Sequence, residues 1–278
     1  MVGRLILESG PVEQTEGAGG QSMEIDLDVL GRPFHARISV PPVPIRLADV
    51  VPVARQLSSA LTAFTLDQLR QQGVQPPCTK GCAACCRVLA PVSAAEALCL
   101  WEEVTALPRP ERMHLLAANV QAARRVLQAD PPDLSRQDAD QAEPQPAQSM
   151  TEMARWYAGL DLDCPFLKDN ACTVYEIRPM ACREFFAHCP EAQPAGADLS
   201  GVDVVRLPYP VASALSQLGR EFEPSWPQVI ALPLALMWAR DGSNRTDPQT
   251  WPAPVLFARL VRIIRKQASL ADQQTQAA

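Results

Sequence analysis

The residues in this chain best suited to chemistry are cysteines, and they come in two groups. The stretch PCTKGCAACCRV, Pro77 to Val88, holds Cys78, Cys82, Cys85 and Cys86 in the spacing C-x3-C-x2-C-C. The stretch CPFLKDNACTVYEIRPMACREFFAHC holds Cys164, Cys172, Cys182 and Cys189 in the spacing C-x7-C-x9-C-x6-C. Zinc and the irons of iron–sulfur clusters both take four thiolates in a tetrahedral arrangement. A short spacing lets one loop fold around an ion, and a second loop far along the chain closes the shell. Eight thiolates exceed the needs of one tetrahedral ion. They could serve two four-ligand sites, one cluster with spare ligands, or a shared polynuclear site. Cys85 and Cys86 bear on that choice. Adjacent side chains diverge by about 100° on a helix and about 180° on a strand, so two neighbours are expected to serve two ions or a larger cluster more readily than one small ion.

A single cysteine is more often a small buried hydrophobe than a ligand, but that does not account for four within so short a loop. Cys99 stands outside both groups. It falls mid-helix near Glu96, Glu102 and Glu103, whose charges raise a thiol's pKa, and reads as a structural or free thiol. Four thiolates leave a net charge of about −2 on Zn²⁺ or on a [4Fe–4S]²⁺ core. Lys80, Arg87, Lys168, Arg178 and Arg183 lie close in sequence to the candidate ligands. Arg178 and Arg183 are the candidate cofactor-binding residues, with Arg178 placed to hydrogen-bond to ligand sulfurs. The plain alternative for both is capping and salt bridging. His188, beside Cys189, is a candidate substitute ligand, whereas His35 and His114 read as surface residues.

Composition narrows the setting. The chain has 278 residues, 27 of them proline, and a net charge of −6, so it lacks the basic footprint of a nucleic-acid binder. The start, MVGRLILESG, does not read as a signal peptide. The longest strongly apolar run, Val229 to Ala239, is too short to span a bilayer and contains Pro233. A cytoplasmic protein is therefore expected. Nine cysteines in a reducing compartment argue for metal or redox chemistry over a disulfide framework.

The elements that must hold the cysteines follow from periodicity. Met23, Ile25 and Leu27, then Phe34, Ala36 and Ile38, alternate with polar residues on either side of Gly31, which predicts a β-hairpin. A helix is expected from an N-cap at Asp49, with Val50, Val53, Leu57, Leu61 and Phe64 inward and Gly73 as its stop. Ser93 with Glu96 reads as a capping box. A helix from near Pro110 shows Met113, Leu116, Val120, Ala123 and Leu127 at alternating spacings of three and four, expected as one buried stripe. Ser149 with Glu152 is expected to open a short helix, KDN to form a turn, and Pro179 to start a brief helix carrying Cys182. Three further helical pieces fill 211–268. The last has Leu256, Leu260, Ile263 and Ile264 on one face, expected to pack on the core.

The cysteine pattern resembles the YkgJ family of cysteine-cluster proteins, described as zinc- or iron-chelating. Its pattern is C-x3-C-x2-CC, then C-x-x-L, then C-x-V-Y-x-x-R-P-x-x-C-R-x-F. Cys78, Cys82, Cys85 and Cys86 match the first part, CPFL from Cys164 the second, and CTVYEIRPMACREF from Cys172 to Phe185 the third. Cys189 fits more loosely. The resemblance spans roughly 76–190 and implies metal binding and little more. A related cluster in flagellin lysine methylases keeps an enzyme accessory role in view by analogy. The radical-SAM loop shares C-x3-C-x2-C but belongs after the first strand of a βα barrel, and no βα repetition is visible. No G-x-S-x-G, H-E-x-x-H or nucleotide loop occurs. No catalytic residue is assigned, and the reading leans away from an enzyme.

The expectation is thus a mainly α fold with a small β-hairpin, in which helices pack an irregular, metal-stabilised cysteine core. Residues 1–21 are expected to be disordered. Hairpin and helix fill 22–75, the cysteine-cluster domain 76–190 with a polar insertion at 129–149, and a helical extension 191–268, before a disordered tail at 269–278. The implied cofactor is an iron–sulfur cluster or Zn²⁺, held by Cys78, Cys82, Cys85, Cys86, Cys164, Cys172, Cys182 and Cys189. Iron–sulfur electron transfer is the main alternative role. Neither a nucleic-acid partner nor a membrane span is expected, and no protein partner is indicated.

Overall fold

The computed structural model describes residues 4–7, 21–74, 83–130, 146–187, 204–205, 207–241 and 249–276. It is mainly helical with small antiparallel strand pairs, as the periodicity predicts. The alternating residues form the hairpin β2 (Gln21–Val29) and β3 (Arg32–Val40), with Ile25, Leu27, Val29, Phe34, Ala36, Ile38 and Val40 turned inward. Its two-residue turn needs positive φ at both central positions. Leu30 has φ 53° and Gly31 φ 80°, and Asp28 accepts the Gly31 N–H at 2.7 Å. Strand β1 (Arg4–Leu7) pairs antiparallel with β3, so these four residues are ordered although their segment reads as disordered.

Helix α1 (Leu47–Gln71) starts earlier than expected, with Arg46 as its N-cap. Asp49 works from inside the first turn, accepting the Arg46 backbone N–H at 2.9 Å and its guanidinium at 2.6 Å. An acidic side chain at that place satisfies free N–H groups as well as a cap would. The predicted face is buried at Val50, Val53, Leu57 and Leu61. Gly73, at φ 84°, follows the helix end. Helix α2 (Ala94–Ala106) is capped by Ser93 with Glu96, as the box spacing predicts. Helix α4 (Pro146–Ala158) begins ahead of the expected cap at Ser149. The expected insertion at 129–149 lies largely outside the described residues.

On α3 (Arg109–Gln128) the expected stripe is corrected. Leu115, Asn119, Ala122, Ala123 and Val126 are buried, while Met113, Val120 and Leu127 are exposed. The true inner face recruits a polar residue, Asn119, which an apolar count skips, so the predicted stripe lies to one side of it. Towards the C-terminus lie α6 (Val211–Phe222), α7 (Leu232–Arg240) and α8 (Ala253–Gln276). Helix α8 buries Leu256, Phe257, Leu260, Ile263 and Ile264, which settles its apolar face as core packing. It runs to Gln276, into residues expected as a tail. Two clamps close this body: β4 (Pro44–Ile45) with β11 (Trp251–Pro252), and β5 (Pro91–Val92) with β10 (Ile230–Ala231). The second clamp matters for the site, because β5 directly follows the first cysteine group.

The left-handed conformation costs an ordinary L-residue roughly 1–2 kcal/mol, and asparagine much less. Leu30, exposed at the hairpin turn, bears that cost. Leu30→Asn is expected to raise stability by about 1 kcal/mol in urea unfolding. An unchanged or lower midpoint would contradict the turn assignment.

Candidate metal centre

The first described cysteines sit on a 3₁₀ turn at Ala84–Arg87, where the Cys86 N–H reaches the Ala83 carbonyl at 2.9 Å. The Cys86 carbonyl then accepts the Cys164 N–H at 2.7 Å. One backbone bond thus joins the two cysteine groups. Past Cys164, β6 (Leu167–Lys168) pairs with β7 (Ala171–Cys172) across the predicted turn, with Asp169 at φ 50° and Asn170 at φ 56°. Both the N–H and the hydroxyl of Thr173 bond the Phe166 carbonyl at 2.8 Å. A further 3₁₀ turn (Tyr175–Ile177) leads to Pro179, which caps α5 (Met180–Glu184) and its Cys182, as predicted. Strand β8 (Phe186–Ala187) then pairs with β9 (Val204–Val205).

A helix as short as α5 cannot hold itself in water. Two carboxylates hold it, Glu96 buried and Glu184 half-buried. Glu96 sends one oxygen to the Met180 N–H at 2.8 Å, while the other accepts the N–H of Ser93 at 3.2 Å and its hydroxyl at 2.9 Å. Glu184 accepts from the Ser58 hydroxyl at 2.7 Å and from the Ala212 N–H at the start of α6 at 3.2 Å. Burial pushes the Glu184 carboxyl up to about 7. It pushes Glu96 up as well, against the opposing pull of its hydrogen bonds and the Arg55 charge.

These supports turn Cys85, Cys86, Cys164, Cys172 and Cys182 onto the wall of one cavity of about 160 Å³. Tyr157, Phe166, Phe185 and Leu232 supply much of the rest of the wall. The expected divergence of Cys85 and Cys86 does not separate them. Neighbours on a 3₁₀ turn stand about 120° apart, yet both border this cavity. The adjoining Cys86 side chain and burial push the Cys85 thiol up. Burial raises Cys164 and Cys172 too, and lifts Cys182 to about 12. Arg178 borders the cavity with its guanidinium 4.0 Å from the Tyr175 ring centroid, and its charge favours thiolate at Cys85, Cys172 and Cys182. One guanidinium cannot offset the burial of several thiolates, whereas a bound cation can. The donor set therefore fits a zinc or iron centre.

Arg183, the other candidate cofactor residue, does not border the cavity. It donates to the Arg178 carbonyl and the Ser59 hydroxyl, both at 3.1 Å, and to the Glu176 carbonyl. These bonds tie α5 to α1. Arg87 pairs with Asp163 at 2.9 Å. Cys99 is buried in α2 and pushed up to about 12, first by burial and then by Glu103, Glu102 and Glu96. Cys78, Cys82, His188 and Cys189 lie outside the described residues, as does Lys80. The six described cysteines are all free thiols. Among the described residues, no three His, Cys, Asp or Glu side chains form a ready coordination group. The five thiols share a cavity without yet converging on one point. The roles of Glu96 and Glu184 in holding α5 were not read from sequence. The Ser93–Glu96 box gave a partial signal, for one Glu96 oxygen alone.

A comparison with protein families bears on this segment. Residues 77–199 match the CxxCxxCC family, described as "Putative zinc- or iron-chelating domain". The segment is similar to that family's domain. It covers less than half of the 278-residue chain, and it contains both cysteine groups, α2, α3 and α5. No curated protein and no solved structure matches the chain. No helix among the described residues is long and apolar enough to cross a membrane.

Removing the Glu96 carboxylate leaves the buried Met180 N–H and Ser93 without their acceptor. Each such loss costs about 1–3 kcal/mol. Glu96→Ala is expected to destabilise the protein by more than Ser93→Ala does in urea unfolding, and to lower metal per chain on purification. Equal losses from the two variants would show that the Met180 bond contributes nothing.

Proposed function

We propose that the protein holds a polynuclear iron–sulfur centre in the cavity between the two cysteine groups. Cys85, Cys86, Cys164, Cys172 and Cys182 are its thiolate donors, and Cys78, Cys82 and Cys189 complete the set. The carrying observation is that five thiols border one cavity of about 160 Å³. A single tetrahedral ion uses four sulfurs and needs little space. A cluster uses both the number and the volume. In this reading Arg178 lies beside the ligand sulfurs, where it balances negative charge and tunes the centre. Arg183 acts one step further out, by fixing the Arg178 backbone and α5.

The centre acts first as a staple. It joins the turn at Ala84–Arg87, the Cys164–Cys172 loop and α5, which otherwise meet through a few hydrogen bonds. A largely apolar wall of aromatic and aliphatic residues suits a redox centre, because hydrophobic surroundings control solvent access and potential. We assign no catalytic residue. Free thiols in this number call for a reducing compartment, the cytoplasm. Zinc is the second reading, named beside iron in the family description. It would divide the thiolates between two four-sulfur sites.

Anaerobic purification followed by iron, zinc and acid-labile sulfide analysis with a visible spectrum decides between them. Iron with comparable sulfide and a broad visible band is expected. Colourless protein containing zinc alone would overturn the cluster. Stripping the metal under reducing conditions is expected to speed amide exchange across 164–187 well before α8 is affected. Unchanged exchange there would refute the stapling role.

A further inference from the structure

Part of the stripe expected to be buried on α3 instead forms one side of a groove that is open among the described residues. Met113, Val120 and Leu127 are 56%, 42% and 55% exposed, and Met237 on α7 is 47% exposed. The three α3 residues are seven apart, so they stack along one face as the anchors of a helical seam do. Between α3 and α7 lies a cavity of about 530 Å³, bordered by Leu116, Val120, Leu127 and Met237. Asn119 is on its wall. Its side chain is buried, and among the described residues neither its amide nitrogen nor its oxygen has a partner. Buried amides are almost always satisfied, and an exception calls for an unseen partner. Helix α3 is basic, with Arg109, Arg112, Arg124 and Arg125 against Glu111 in a chain of net charge −6; Arg112 and Arg125 turn to the Thr105 and Leu160 carbonyls. Arg124 and Arg240 both border the cavity, with Asp241.

We propose that this groove docks an amphipathic helix from a partner protein, one with acidic flanks and a single Asn or Gln in the middle of its apolar face. Apolar anchors at a spacing of three and four fill the groove beside Val120, Leu127 and Met237. The central amide takes both hydrogen bonds that Asn119 offers and fixes the register, as one buried Asn does in a coiled coil. Acidic flanks meet Arg109 and Arg124 of α3. A second copy of this chain, docking α3 on α3, would set the same basic helix against itself. From Met113 to Leu127 the seam spans about 21 Å at 1.5 Å per residue, enough for about fourteen partner residues. The groove lies on α3 and α7, so it does not depend on the reading of the metal centre.

The test uses the full-length protein and a synthetic helix of about eighteen residues, enough to cover the seam. The helix has Leu at the seam positions, one central Asn and Glu on both flanks. Fluorescence anisotropy is expected to show saturable binding. A version with Lys replacing Glu, and a scrambled version that destroys the spacing, should each bind at least about tenfold more weakly. The double variant Val120→Glu with Met237→Glu changes two exposed positions, so its circular dichroism should match the parent. It should lose affinity by a similar factor. Equal binding of the Glu, Lys and scrambled helices, or full binding by the double variant, would overturn the proposal. So would a concentration-dependent dimer abolished by that variant, which would give the groove to a second copy.

Discussion

Glu96 is where the scaffold and the cysteine loops are coupled. One of its oxygens closes the first turn of α2, and the other reaches across the core to the Met180 N–H. A buried carboxylate is costly unless its oxygens are bonded. Here each oxygen has a partner from a different part of the chain, so the cost is offset only when both parts are in place. Helix α2 is buried deep in the main core, where Val92, Ala95, Ala97 and Leu100 pack. Helix α5 has five residues and no independent stability. The bond therefore transmits the order of the large element to the small one that carries Cys182. Glu184 repeats the device at the other end of α5, tying it to α1 and α6.

The thiols face the opposite problem. Cys85, Cys164, Cys172 and Cys182 lie in surroundings that disfavour their charged forms, and neighbouring thiols make each of them harder to ionise. Crowding several thiols around an apolar cavity makes little sense for free cysteines, because neither thiolate nor thiol gains much there. It makes sense when a cation is the missing neighbour, since thiolate coordination reverses the sign of every one of these effects. The same features that raise the thiol pKa values without metal, burial and closeness, are those that make a thiolate–metal centre hold tightly.

What was legible in sequence was whatever local spacing dictates. The hairpin, the Ser93–Glu96 cap, the KDN turn, the Pro179 start of α5 and the packed face of α8 follow from alternation, capping or helical period, each acting within a few residues. The start of α1 was misplaced because an Asp acts equally well at the cap or a turn inside it, and spacing alone does not separate the two. The α3 face was misplaced because the inner stripe includes Asn119, whose burial depends on α7 and not on α3 itself. The bond from Glu96 to Met180 was invisible for the same reason. It links residues 84 apart along the chain, and nothing local announces it. The cysteines were legible as candidate ligands, but their sharing of one cavity required the Cys86–Cys164 backbone bond, again a long-range contact.

The architecture implies a graded stability. Helices α1, α2, α6, α7 and α8 share one continuous apolar core that reaches the sheet. The loops bearing the cysteines are built differently, from two-residue strand pairs, 3₁₀ turns and one five-residue helix. Such elements bury little apolar surface and lose much conformational entropy on ordering. Cys164, Cys172 and Cys182 pack against the edge of the core, not within it. Hydrogen bonds from Glu96, Glu184 and the Cys86 carbonyl position these loops, but a net gain of about 1 kcal/mol per bond is small against that entropy. In the proposed reading the remainder comes from the metal that the thiols bind. The helical body supplies a rigid wall, the Glu96 and Glu184 carboxylates set the register of the loops against it, and in the proposed reading a bound metal supplies the free energy that closes them. This division explains why both cysteine groups hang from segments that begin or end on core helices, since the wall has to exist before the thiols can be brought together.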